Sequence, residues 1–206
     1  MKRQLCSRCE RPLSVCYCHR LIPIENHWPI WILQHHREKK HAIGTAKIAM
    51  LSLGNMLTLN DKEAALNTDF QSSILSRTPI LIYPGNDAHN LDALKAKEMN
   101  ATKTRPLLFL DGSWRKTHKM FYLFPELRKL TKLCIHPASP SRYRIRKAPD
   151  DSAISTLEAI VHVLTKLENN HEKFAPMLKT MDWMIDKQIE HMGKETYLKN
   201  YKKAHD

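Results

Sequence analysis

The sequence predicts an α/β protein with a mostly parallel sheet, preceded by a small metal-binding segment. Strand-length apolar runs, most of them closed by a turn signal, alternate with amphipathic helical stretches, the pattern of a sheet covered on both faces. Hydrophobic residues at 42% and charged residues at 26% match an ordinary globular mixture, which excludes a disordered chain, a collagen and a coiled-coil rod. The cysteines are lopsided: four of the five fall between Cys6 and Cys18.

Those four, Cys6-Ser-Arg-Cys9 and Cys16-Tyr-Cys18, come first in the chain. A C-x-x-C pair turns two thiolates onto one point, and a second close pair completes a tetrahedron suited to zinc. Two disulfides are the competing reading, set aside because a cytosol keeps such thiols reduced. His19 can substitute for one thiolate of the crowded C-x-C half. The expected metal site is structural, since nothing suggests an open coordination position. Residues 1–22 are read as this knuckle and 23–206 as the catalytic body, a division in keeping with 206 residues and the usual size of one domain.

Beyond Pro23 the elements follow in order. Ile30–Gln34 is an apolar run of strand length, and Thr45–Leu53 has helical spacing. Pro79–Tyr83 is a second strand, stopped by Pro84-Gly85-Asn86-Asp87, with a helix over Asp92–Met99. Pro106–Leu110 is a third strand ending at Asp111-Gly112, and Trp114–Tyr122 forms the next helix. Leu133–His136 is a fourth strand, with Cys134 as a small hydrophobe inside it. A long amphipathic helix spans Ser152–Leu167 with Asp151-Ser152 as its cap, and another spans Lys173–Met192.

Charge is the most informative global quantity. Thirty-three Lys and Arg against 21 Asp and Glu give +12 and a pI near 9.5, which favours a polyanionic partner such as nucleic acid. Only five glycines occur, and neither a P-loop nor a dinucleotide-binding glycine pattern is present. No apolar run reaches the roughly 18–20 residues needed to cross a bilayer. The basic start Met1–Cys9 has no apolar stretch behind it, so the expectation is a cytoplasmic protein without a membrane partner.

In a parallel sheet ligands bind beyond the carboxyl ends of the strands. That rule selects the loops 83–86, 111–114 and 136–141. Asp111 directly follows an apolar strand, Gly112 permits a tight turn and Ser113 can cap the next helix; the same residues also suit a plain strand-to-helix turn. In the segment Arg142-Tyr143-Arg144-Ile145-Arg146-Lys147 the arginines at strand-like spacing share one face, suited to phosphates, and the tyrosine can stack on an unpaired base. The loop holding His35, His36, Arg37, Lys39, Lys40 and His41 is a weaker basic group.

In that order, the CxxC–CxC pattern, the strand leading into Asp111-Gly-Ser-Trp114, the Tyr143-Arg144 segment and Ser155-Thr-Leu-Glu158 resemble the DTW-domain proteins, the tRNA-uridine aminocarboxypropyltransferases. The resemblance covers roughly residues 6–168. The family's Asp-x-Thr-Trp signature has Ser113 here, which keeps the hydroxyl and loses a methyl. The resemblance implies a SPOUT-like α/β fold with a C-terminal trefoil knot, and transfer of a 3-amino-3-carboxypropyl group from S-adenosylmethionine to N3 of a tRNA uridine. Asp111 is then the expected general base, with Ser113 and Trp114 shaping the pocket. Tyr83, Pro84 and Gly85, with Leu110, Gly112, Ser155 and Thr156, are expected to hold the cofactor, and Cys6, Cys9, Cys16 and Cys18 a structural zinc ion. Arg115, Lys119, Arg142, Tyr143, Arg144, Arg146 and Lys147 are expected to grip tRNA, by a monomer or a homodimer. A SPOUT-type RNA methyltransferase and a non-catalytic zinc-containing RNA-binding protein are the alternatives.

Overall fold

A computed structural model describes residues 4–38, 43–94, 103–137, 139–145 and 153–201. Six parallel strands form one sheet: β1 (Ile30–Gln34), β2 (Met56–Asn60), β3 (Ile80–Ile82), β4 (His89–Asn90), β5 (Leu107–Asp111) and β6 (Lys132–Cys134). Their order is β2-β1-β5-β3-β6-β4. The helices are α1 (Ala46–Ser52), α2 (Asp61–Leu66), α3 (Thr68–Arg77), α4 (Trp114–Leu123), α5 (Thr156–Glu168), α6 (His171–Met192) and α7 (Lys194–Tyr201). Among the described residues no helix is long and apolar enough to cross a membrane.

Successive strand residues point to opposite faces, so each central strand feeds two cores. Ile30, Ile32, Leu107, Phe109, Ile80 and Ile82 pack with α1, α5 and α6 on one side. Trp31, Leu33, Leu108, Leu110 and Leu81 pack with α2, α3 and α4 on the other. Both faces being covered explains why β1 is buried at every position. Cys9 and Tyr17 of the knuckle belong to the first of these cores. Thr180 of α6 donates to the Arg20 carbonyl at 3.1 Å, and Arg20 stands over the Trp183 ring.

The structure adds to the expected elements and corrects two of them. β2, α2 and α3 occupy residues that gave no strong periodic signal: β2 is an edge strand, mostly only partly buried. α7 is likewise additional and has no buried residue. Where a helix was expected over Asp92–Met99, the described part is a single 3₁₀ turn at Leu91–Ala93; residues 95–102 lie outside the described set. The helix expected from Ser152 begins at Thr156 instead. Ser155 is its cap, in a reciprocal box with Glu158; the expected cap at Asp151-Ser152 lies outside the described residues.

Candidate active site

Parallel register brings three polar side chains into line at the carboxyl edge of the sheet: Asn60 of β2, Gln34 of β1 and Asp111 of β5. The Gln34 amide donates to Asp111 Oδ2 at 2.8 Å. From the opposite side the Thr156 hydroxyl, at the first turn of α5, donates to Oδ1 at 2.6 Å. Two neutral donors from separate elements therefore fix the plane of this carboxylate. Gly112 follows at a crowded point, where a Cβ would stand 3.1 Å from that of Lys116 and 3.6 Å from that of His35. Ser113 occupies the cap position of α4 but makes no side-chain capping bond.

Two cavities meet at this strand end. The first, about 170 Å³, lies over β3, β5 and β6, with walls from Tyr83, Pro84, Leu110, Gly112, Trp114, Ser155 and Thr156. Ile82, Phe109, Leu133, Cys134 and Ile135 complete it. Trp114, 42% exposed, sets its ring edge-on to Tyr83 at 5.6 Å. The second cavity, about 520 Å³, is lined by Asp111, Ser113, Lys116, Thr156 and the tip of α7. Gly112 and Thr156 border both. An apolar chamber and a more polar one that share Gly112 and Thr156, with Asp111 on the wall of the second, can hold two reactants side by side.

Of the residues expected around a cofactor, Gly85 is the exception. It is exposed and lies outside the cavity lining, because the chain turns outward at Pro84. Ser155 lines the cavity, but its hydroxyl accepts from the Glu158 amide and its own amide donates to Glu158 Oε2 at 2.8 Å. Its polar groups are thus engaged in capping α5. Cys134, given no role from sequence, and Gln34 were missed: nothing in a strand's local pattern reveals which side chain reaches across to the next.

The basic segment is also redistributed. Tyr143, expected to stack on a base, is 9% exposed and packed in the core, and its hydroxyl donates to the Ile43 carbonyl at 2.7 Å. Arg142 and Arg144 share a face, and that face meets α6: they pair with Asp182 and Asp186, each at 2.7 Å. Both stay about half exposed. Buried Glu158 anchors the same segment by accepting from the Ser141 hydroxyl at 2.8 Å and the Arg142 amide at 2.7 Å. Arg146 and Lys147 lie outside the described residues. Arg115 and Lys119 stand exposed on α4, in a shallow patch with Trp114, His118 and Tyr122.

The four knuckle cysteines converge. Cys6 and Cys18 sulfurs are 3.7 Å apart, as are those of Cys9 and Cys16, and all four lie within 4.8 Å of one another. A tetrahedron whose corners lie about 2.3 Å from a central zinc has edges of about 3.8 Å, so the donor set fits that ion. Backbone amides of Cys9 and Arg8 pull the Cys6 thiol down to about 6, whereas burial pushes Cys9 and Cys18 up. A cation at the centre reverses that burial effect by favouring the thiolates. His19 is not part of the cluster; it packs edge-on against Trp183 at 5.1 Å.

A parallel α/β sheet with two cavities that meet at Gly112 and Thr156 beside a strand-end carboxylate, packed against a four-cysteine knuckle that could hold a metal ion, defines an α/β protein with a candidate two-chamber site. The chain belongs to the DTW-domain family, whose model matches residues 3–189. It is similar to tRNA-uridine aminocarboxypropyltransferase 2 of Drosophila melanogaster, 28% identical over 97% of this chain and 82% of the relative. The protein of that name from Macaca fascicularis is 27% identical over 97% of this chain and 70% of its own length. The tRNA-uridine aminocarboxypropyltransferase A of Arabidopsis thaliana is 22% identical over 87% of this chain and 80% of its own.

Proposed function

We propose that this protein is a tRNA-uridine aminocarboxypropyltransferase that modifies N3 of a uridine. The observation that carries the reading is Asp111 on the wall of the second cavity, beside Gly112 and Thr156 that border both, oriented by Gln34 and Thr156. The family match and the names of the relatives agree with it.

S-adenosylmethionine, when bound, supplies the aminocarboxypropyl group from its γ-carbon and departs as methylthioadenosine. The apolar cavity suits its adenosine: Tyr83, Pro84, Leu110 and Trp114 provide flat and aliphatic walls. At about 170 Å³ this chamber is smaller than usual ligand pockets of roughly 300–1,000 Å³, so Gly112 and Thr156, which border both chambers, would hold the rest of the molecule where the two meet. Uracil enters that chamber from the solvent side. N3 of uracil carries a proton, and Asp111 takes it as general base once the ring is in place. The Thr156 and Gln34 donors are neutral, so neither of them cancels the Asp111 charge. Ser113 and Lys116 line the approach, and the Lys116 ammonium pairs with Glu38 at 2.6 Å.

The tRNA surface in this reading runs from the exposed Arg115 and Lys119 to the half-exposed Arg142 and Arg144, with Trp114 and Tyr122 as the aromatic platform in place of Tyr143. Zinc on the four cysteines braces the knuckle and takes no part in transfer. A SPOUT-like C-terminal knot belongs to the same proposal. Loops after three adjacent strands, β5, β3 and β6, converge on the apolar cavity with residues 153–155, as a knotted cofactor pocket requires. The protein acts in the cytoplasm, as a monomer or a homodimer.

Nucleoside mass spectrometry of unmodified tRNA incubated with the protein and S-adenosylmethionine tests this. A uridine heavier by one aminocarboxypropyl group, with methylthioadenosine released, is the expected result. A gain of one methyl with S-adenosylhomocysteine, or no gain at all, overturns it.

A further inference from the structure

A third cavity, about 520 Å³, lies between the knuckle and the ends of β1 and β2. It borders the polar chamber of the candidate site, sharing Glu38 and Gly44 with it. Arg11 lines it and is only 6% exposed. Its guanidinium stands over the Tyr17 ring at 5.5 Å, yet Nε and Nη1 have no hydrogen-bond partner among the described residues. Thr58, on the same wall, has a buried hydroxyl oxygen that is also unpartnered. Buried polar groups are ordinarily satisfied, and leaving one unmade costs about 1–3 kcal/mol, more for a charge. Arg11 and Thr58, from separate elements, line this one cavity with polar atoms left unpartnered among the described residues, and a ligand seated there can complete them.

The chemistry of the wall selects that ligand. Three carboxylates, Glu10, Glu38 and Glu63, share the cavity with Arg11 and Lys47, an unfavourable setting for a phosphate. A planar group with both carbonyl acceptors and N–H donors suits the mixture, and the side chains of Leu5 and Met50 add apolar surface for its faces. Gln34, whose amide donates to Asp111, itself lines this cavity, so the cavity begins one strand spacing, roughly 4.8 Å, from the candidate base.

We propose that this cavity is a second nucleotide subsite, which receives an unpaired nucleobase next to the target uridine and donates to its carbonyl oxygen from Arg11. The knuckle thereby contributes to RNA recognition. This inference rests on the tRNA reading above.

The test uses the full chain and its Arg11→Gln and Thr58→Val variants. tRNA affinity is measured over a range of salt without S-adenosylmethionine, together with zinc content and transfer activity. Expected for R11Q is about a tenfold loss of tRNA affinity with one zinc per chain retained and an unchanged salt slope. Removing a phosphate contact instead lowers that slope by about one, and this result overturns the base assignment. T58V deletes an unsatisfied hydroxyl, so it should fold as well as the parent while losing affinity about threefold. Wild-type affinity in both variants overturns the subsite while leaving the transferase intact. Zinc loss in R11Q with parental affinity in T58V likewise overturns it, by assigning Arg11 to the metal centre. A parent chain that neither binds nor modifies tRNA overturns the underlying function as well.

Discussion

Asp111 gains its position from two residues far away in sequence. The Gln34 amide and the Thr156 hydroxyl each hold one oxygen, so removing either loosens the carboxylate's orientation and keeps the acid–base group itself. Asp111→Asn should reduce aminocarboxypropyl transfer by about 10²–10⁴-fold, the range for loss of a general base, with an unchanged thermal midpoint. Equal activity in the Asn variant would refute the base role. Thr156→Val should lower the transfer rate about tenfold, and Thr156→Ser should restore most of it because the hydroxyl returns. That rescue separates positioning of the carboxylate from simple packing in the wall.

At the scale of elements, the cap of α5 does more than start a helix. Glu158 closes the capping box with Ser155 and also accepts from Ser141 and Arg142, so one buried carboxylate ties the 141–145 segment to α5. Glu158→Ala leaves those donors unpaired, at a cost of roughly 3 kcal/mol. For a chain of this length that is a fall of ~6–12 °C in the thermal midpoint; a scanning calorimetry trace with no shift would show the box to be dispensable. The knuckle is a second such clamp, since Cys9 and Tyr17 sit in the core shared with α1 and α6. A strong chelator should lower the midpoint by at least ~5 °C, because metal binding is coupled to folding. Cys9→Ser should begin lower and show no chelator response.

The whole molecule carries a pH dependence that its buried imidazole sets. His35 is 6% exposed, and burial pushes it below its ordinary value against the opposing pull of Asp61 and Glu38, while His36 and Lys116 add to the depression. As pH falls, the unfolded chain takes up this proton before the folded one does. The contribution is therefore complete above about pH 6.5 and is lost below it. Denaturant midpoints should fall between pH 7 and pH 5, and His35→Gln should flatten that decline. Net charge of +12 acts at the same scale: tRNA affinity should drop steeply between 50 and 200 mM salt, as filter binding can check.

The sequence by itself determined the α/β class, four of the six described strands, both long C-terminal helices and the grouping of four cysteines. Each of these is encoded locally, by an apolar run such as Leu107–Leu110, by helical spacing, or by a Cys-x-x-Cys turn. It also picked out seven of the sixteen residues around the apolar cavity, because strand ends in a parallel sheet mark ligand loops in advance. Only the tertiary structure decided the rest. Tyr143 turned inward, Gly85 outward, and Arg142 and Arg144 onto the acids of α6, since a polar or aromatic residue in a loop carries no periodicity that fixes its direction. The partners of Asp111 and the cavity around Arg11 depend on strand order, which places β1 between β2 and β5. Hydrogen bonds act over about 3 Å, and no one-dimensional pattern specifies which residues separated by 45 or 77 positions will come within that reach.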